Sequence, residues 1–141
     1  MATITDIADA VVAELNDASF SREFTAARSY LPRFELPEMA ELHVTVVPRG
    51  LAITTASRAG HRHDYRIDVA VQRKLQSTDA SEVDGLMGLM EEVADHFRGR
   101  TLDTPPAACV AVENEPVYVA EHMDEMRQFT SLITMTFRTW R

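Results

Sequence analysis

The sequence predicts an α+β domain in which two helices pack on one face of a mainly antiparallel, partly mixed β-sheet, and three observations lead there. Two stretches carry apolar residues at the helical period, several others alternate with period two, and no linker or internal repeat divides the 141 residues. A chain of this length can bury roughly 70% of the surface its unfolded form exposes, enough for one core without disulfides or metals. Residues 1–141 are therefore read as one domain.

The first helix is expected over residues 5–17. Ile4, Ala8, Val11 and Leu15 recur on one side, Thr5 is a candidate N-cap, and Asp6 and Asp9 suit the positive end of the helix dipole. Residues 24–34 are rich in aromatic and extended-favouring types, but Pro32 cannot donate to a ladder, so this segment is placed at a sheet edge. Residues 41–47 read as a strand closed by Pro48. A turn at Arg49-Gly50 then leads into a strand over 51–56, with Leu51 and Ile53 on one face, and the two are expected to form a hairpin.

Residues 57–64, Ser-Arg-Ala-Gly-His-Arg-His-Asp, are polar around a central glycine and read as a loop. The strand that follows alternates clearly. Tyr65, Ile67, Val69 and Val71 face one way, whereas Arg66, Asp68, Ala70 and Gln72 face the other, so one side of the sheet is buried and the second is wet or meets a partner. In the second helix Val83, Leu86, Met87, Met90, Val93 and Phe97 form the apolar stripe, Ser81 with Asp84 resembles a capping box, and Gly99 suits the C′ position. Beyond Pro105-Pro106 come a strand at 109–112, a turn at 113–116, a short strand at 117–120 and a final strand over 128–140. In that last strand Phe129, Ile133, Met135 and Phe137 alternate with Thr130, Thr134, Thr136 and Arg138.

Composition bounds the function classes. The single cysteine, Cys109, has no intramolecular disulfide partner and lies in an apolar run, which fits a reducing compartment. Asp6 and Asp9 stand where a secretion signal would be basic and apolar, and no window reaches the length of a membrane span. Twenty-two acidic against fourteen basic residues give a net charge of −8, which opposes tight binding to a phosphate backbone. The acidic excess reads as spread along the chain.

No pattern identifies a catalytic, metal or cofactor site. His61 and His63 form an H-x-H pair that can share a metal only if further ligands converge, with Glu121 and His122 as distant candidates. A solvated pair beside Arg58, Arg62 and Asp64 is the simpler reading. Glu91, Glu92 and Asp95 fall on the outer side of the second helix, where Arg98 can pair with Asp95. Cys109 and Ser131 lack the neighbours of an activated nucleophile, and Gly85 and Gly88 lie inside a helix where glycine permits close packing. A small-ligand module on the sheet would require converging polar groups that the sequence does not display.

A resemblance extends this reading. Val112-Glu113-Asn114-Glu115-Pro116-Val117-Tyr118, His122 and the run from Phe129 to Arg138 resemble a family of small tail-terminator or neck (tail-completion) proteins of tailed bacteriophages and prophages. Val46-Val47-Pro48, the strand from Tyr65 to Val71 and the helix containing Met90-Glu91-Glu92-Val93 agree with it. The resemblance implies a structural, non-enzymatic α+β subunit of the virion, made in the host cytoplasm, that closes into a ring, expected as a hexamer. Its implied partners are further copies of itself, the tail tube, the sheath and the head-completion or connector proteins. A head-side stopper is the alternative role within that class, and a metal-dependent enzyme using His61 and His63 is the alternative outside it. No cofactor comes with the family.

Six copies at −8 each would carry −48, and a negative channel lets DNA pass without specific binding. Candidate contacts with a neighbouring copy or partner are Arg58, His61, Arg62, His63 and Asp64 in the polar loop, and Arg138, Trp140 and Arg141 at the end of the last strand.

Overall fold

The computed structural model describes residues 3–29, 42–55, 57–58, 60–75, 80–103, 106–115, 117–121 and 127–140. Helix α1 (Thr3–Asp17) leads to strand β1 (Thr25–Arg28), β2 (His43–Thr55) and β3 (His61–Lys74); helix α2 (Ala80–Phe97) follows, then β4 (Thr101–Asp103), β5 (Pro106–Asn114) and β6 (Gln128–Trp140). The strands form a six-stranded sheet in the order β1-β2-β3-β6-β5-β4, in which β1 runs parallel to β2 and every other pair is antiparallel. Both helices lie on one face, α1 over β1 and β2 and α2 over β5 and β6. The predicted α+β class and helix placement hold.

Alternation in β3 and β6 decides which face is greasy. Tyr65, Ile67, Val69 and Val71 on β3 and Phe129, Ile133, Met135 and Phe137 on β6 are closed to solvent beneath the helices. From α1 the core receives Ile7, Ala8, Val11 and Leu15, and from α2 it receives Leu86, Leu89, Met90, Val93 and Phe97. Leu89 was outside the expected stripe, whereas Val83 and Met87 sit at its margin, only partly buried. Full burial of each large apolar side chain stabilises by about 1.5–3 kcal/mol. Gly99 adopts φ +72° just past α2, the left-handed geometry of a C′ residue.

Helix starts lie further upstream than the capping patterns suggest. Thr5 and Ser81 both stand within the first turns of their helices, which begin by Thr3 and Ala80. A side contact instead unites the helices: His96 Nε2 of α2 lies 3.1 Å from Glu14 Oε2 of α1, and Arg100 reaches the same carboxylate at 3.6 Å. The connection after α1 then crosses α2. Ser21 donates its backbone N–H to Glu92 Oε1 at 3.0 Å and its hydroxyl to Oε2, and the Arg22 guanidinium lies over Gly85, where a Cβ would come within 2.8 Å of it.

Four expectations are corrected. The strands at 41–47 and 51–56 are one strand, β2, not a hairpin; Arg49 is absorbed as a bulge, because Pro48 pairs with Ile67 and Gly50 with Arg66. The continuous pairing with β3 outweighs the local turn preference of Arg49-Gly50. The polar segment is accordingly not a loop through residue 64, since His61, Arg62, His63 and Asp64 already belong to β3. Residues 117–118 bend instead of extending into a strand, with Val119 N–H donating to Thr130 O and a helical turn at 120–121. Strand β4, only three residues long, carries too few alternations to be read in advance. Within the expected edge segment, Thr25–Arg28 form β1 at the end of the strand order, and residues 30–34, Pro32 among them, lie outside the described residues.

Candidate interaction surface

Length mismatch generates the most distinctive surface. A thirteen-residue strand spans about 43 Å at 3.3 Å per residue, whereas α1, of fifteen residues, spans about 22 Å at 1.5 Å per residue. The far end of β2, residues 51–55, is exposed along its whole length, and with the start of β3, which β6 flanks as far as Arg62, it forms the arm. Ser57 and Gly60 hold its tip: Ser57 N–H donates to Gly60 O at 3.1 Å, and Gly60 N–H donates to Ser57 Oγ at 3.2 Å.

On the helix side of the arm, Leu51 pairs across with Tyr65 and Ile53 with His63. Tyr65 is buried, but Leu51 and Ile53 remain 47% and 57% exposed because the helices no longer cover them. They sit on β2, whose outer edge is paired to β1 only as far as Val46. Among the described residues, no strand pairs with that edge from Val47 to Thr55.

The opposite side of the arm is charged. Arg138 Nε on β6 donates to Asp64 Oδ1 at 2.8 Å and its Nη2 to Oδ2 at 3.3 Å, a two-point contact across the strands. The Arg138 hydrogen bond, more than the charges of Arg138 and Arg62, lowers the Asp64 carboxyl below its usual range against the opposing effect of burial; the same bond raises Arg138. Arg62 Nε is 3.6 Å from Asp64 Oδ2, close enough for an ion pair but too far for a hydrogen bond, and its buried N–H has no acceptor. Trp140, the cross-strand neighbour of Arg62, is 63% exposed.

Further along the same face Arg49 reaches Asp68 at 3.5 Å, and Thr134 donates to that carboxylate at 3.0 Å. At the far end Thr45, Ala70 and Gln72 are closed to solvent, so this second face is not wet throughout. Its accessible part lies toward the arm.

The predicted contact residues thus separate. Arg62, Asp64, Arg138 and Trp140 converge on the open face, while His61 and His63 alternate to the helix side. Arg58 is exposed at the tip, and Arg141 and His122 lie outside the described residues. His63 is buried, its ring stacked on Tyr65 with centroids 6.3 Å apart, and its Nδ1 faces the His61 carbonyl oxygen at 3.4 Å. Among the described residues no three His, Cys, Asp or Glu side chains are grouped to hold a metal.

Other candidate groups have structural surroundings. Burial pushes the Cys109 thiol up to about 11. Ser131 is buried and accepts a hydrogen bond from Asn114 Nδ2 at 3.0 Å. An open cleft between the α1–β1 connection and the start of β2 is walled by Phe20, Phe24, Arg22, His43 and Arg73. Asn16, on its rim, is committed to the backbone of Ala26, which it clamps at both N–H and C=O. No described helix is long and apolar enough to cross a membrane.

Sequence reasoning missed the segregation of charge. Residues 49–66 hold Arg49, Arg58, Arg62 and Arg66 against Asp64 alone, a net +3, which leaves −11 on the rest of the chain. The signal was present in the sequence as a local reversal of sign, but it has meaning only once the arm is seen to project. No family model matches the chain, and no curated protein matches it either.

Proposed function

We propose that this chain is a structural subunit of the neck of a tailed phage, a tail-terminator-like protein that self-associates as a ring at the end of the tail tube and offers a docking face to the head. The observation that carries the reading is the arm, which displays Leu51 and Ile53 beside a stretch of β2 edge that no described strand pairs. Exposed apolar side chains grouped on a strand edge are an association surface, because both apolar burial and main-chain pairing are available there. The family resemblance of the β3 and β6 segments supplies the virion context.

The charge distribution supports the same role. A ring whose copies each carry −8 repels a DNA backbone passing through it, while the local +3 of the arm is available to acidic protein surfaces. Assembly from the host cytoplasm into the virion needs no bound cofactor or membrane segment. Partners are the tail tube, the sheath and the head-completion proteins.

Electron microscopy of tails lacking this protein, before and after adding the purified chain, tests the assignment. Density appearing at the head-proximal tail end supports it. Density on filled heads before joining would assign the stopper role instead, and absence from both structures would end the neck reading.

A further inference from the structure

We infer that the β2–β3 arm of one copy docks on the acidic outer face of α2 of a second copy, so that copies join head to tail. This inference rests on the self-association reading above and names the two surfaces involved. The arm supplies Leu51 and Ile53 on one side and arginines on the other. Among the described residues Arg58 and Arg66 have no carboxylate partner, and Arg62 retains an unpaired buried N–H.

The acceptor is a stripe on α2. Asp84, Glu91 and Asp95 recur at i, i+7 and i+11, which places them on one line of the helix, and all three are exposed. Arg98 lies 3.7 Å from Asp95 in a pair that is more than two-thirds exposed on both sides and therefore contributes little. Gly88 lies between Asp84 and Glu91, where a Cβ would meet no atom within 4 Å, so the middle of the stripe is low and open. The basic side of the arm finds there its complement in charge.

Position within one copy decides the symmetry. α2 covers β5 and β6, whereas the arm's β2 lies toward the other end of the strand order, with no described strand on its outer edge beyond Val46. The two surfaces are different patches of the molecule, so the contact is heterologous, and repetition produces a ring where the rotation closes. Complementary fields also speed encounter and fix register.

Charge reversal in trans tests the pairing. Arg58→Glu/Arg66→Glu inverts the arm and Glu91→Arg/Asp95→Arg inverts the acceptor; all four residues are exposed, and circular dichroism confirms that each variant folds. Each variant alone is expected to self-associate at least about tenfold more weakly than the unaltered chain. Mixing the two restores assembly in alternating, even-numbered complexes, because each then offers the other a complementary partner. Wild-type mass in either single variant, or no recovery on mixing, overturns the interface while leaving a ring built otherwise.

An unaltered chain that stays monomeric alone yet decorates tail ends overturns the interface and spares the neck assignment. Loss of binding to short duplex DNA in the arm variant, with unchanged mass, gives the arginines to nucleic acid and also overturns it.

Discussion

Arg138 and Asp64 form a two-point contact, Nε to Oδ1 at 2.8 Å and Nη2 to Oδ2 at 3.3 Å, that ties the last strand to the third at the root of the arm. A bidentate guanidinium–carboxylate pair fixes relative orientation as well as distance. β6 therefore braces the β3 side of the arm, with Arg62 drawn toward the same carboxylate.

Acid should loosen that brace. The Asp64 carboxyl is depressed in the folded chain, so its stabilisation is fully present above the unfolded value of about 3.9 and is lost as pH falls through the lower folded value. Urea denaturation is expected to show Asp64→Asn less stable than the unaltered chain at pH 7, with the difference shrinking once the medium is acid enough to protonate Asp64. A difference independent of pH would mean that the pair contributes no linked stability.

Met90 tests the contact between α2 and the sheet. It is fully buried in the core, and truncation to alanine removes its contacts and leaves a cavity, a loss of about 2–5 kcal/mol. Met90→Asp should unfold the domain altogether, because an unpaired carboxylate has no partner there. Chemical denaturation and far-ultraviolet circular dichroism measure the two.

The helical glycines of α2 separate packing from propensity. Gly88→Ala adds a Cβ into open space and should stabilise by up to about 1 kcal/mol through helix propensity. Gly85→Ala directs the same atom at the Arg22 guanidinium, which must swing away, so its gain should be smaller. Thermal melts of the two variants rank them.

Cys109 should ignore thiol reagents in the folded state. Its thiol is buried, raised to about 11, and donates toward Ala111 O at 3.6 Å, so little thiolate forms at pH 8. A colorimetric disulfide reagent should react promptly in urea and slowly without it.

What could be read in advance follows the length of each pattern. β6 and the core of β3 carry six or more alternations, and α1 and α2 several helical turns, so their type and buried face were legible. Pro48-Arg49-Gly50 resembles a turn locally, but pairing along β3 from Thr55 to His43 turns it into a bulge. That long-range pairing also drew His61 through Asp64 out of the supposed loop. The candidate surface was partly legible: Arg62, Asp64, Arg138 and Trp140, which share one face of the sheet, were named together from sequence, whereas the exposure of Leu51 and Ile53 depends on tertiary covering. Strand periodicity marks a residue as apolar-facing and is blind to what lies above it.

Native mass spectrometry of the purified, unaltered chain addresses self-association most directly. The account predicts a discrete multiple of the protomer mass, six copies if the family resemblance sets the ring size, with closed rings in the same preparation by electron microscopy. A monomer at every concentration, both alone and with tail tubes, would contradict it.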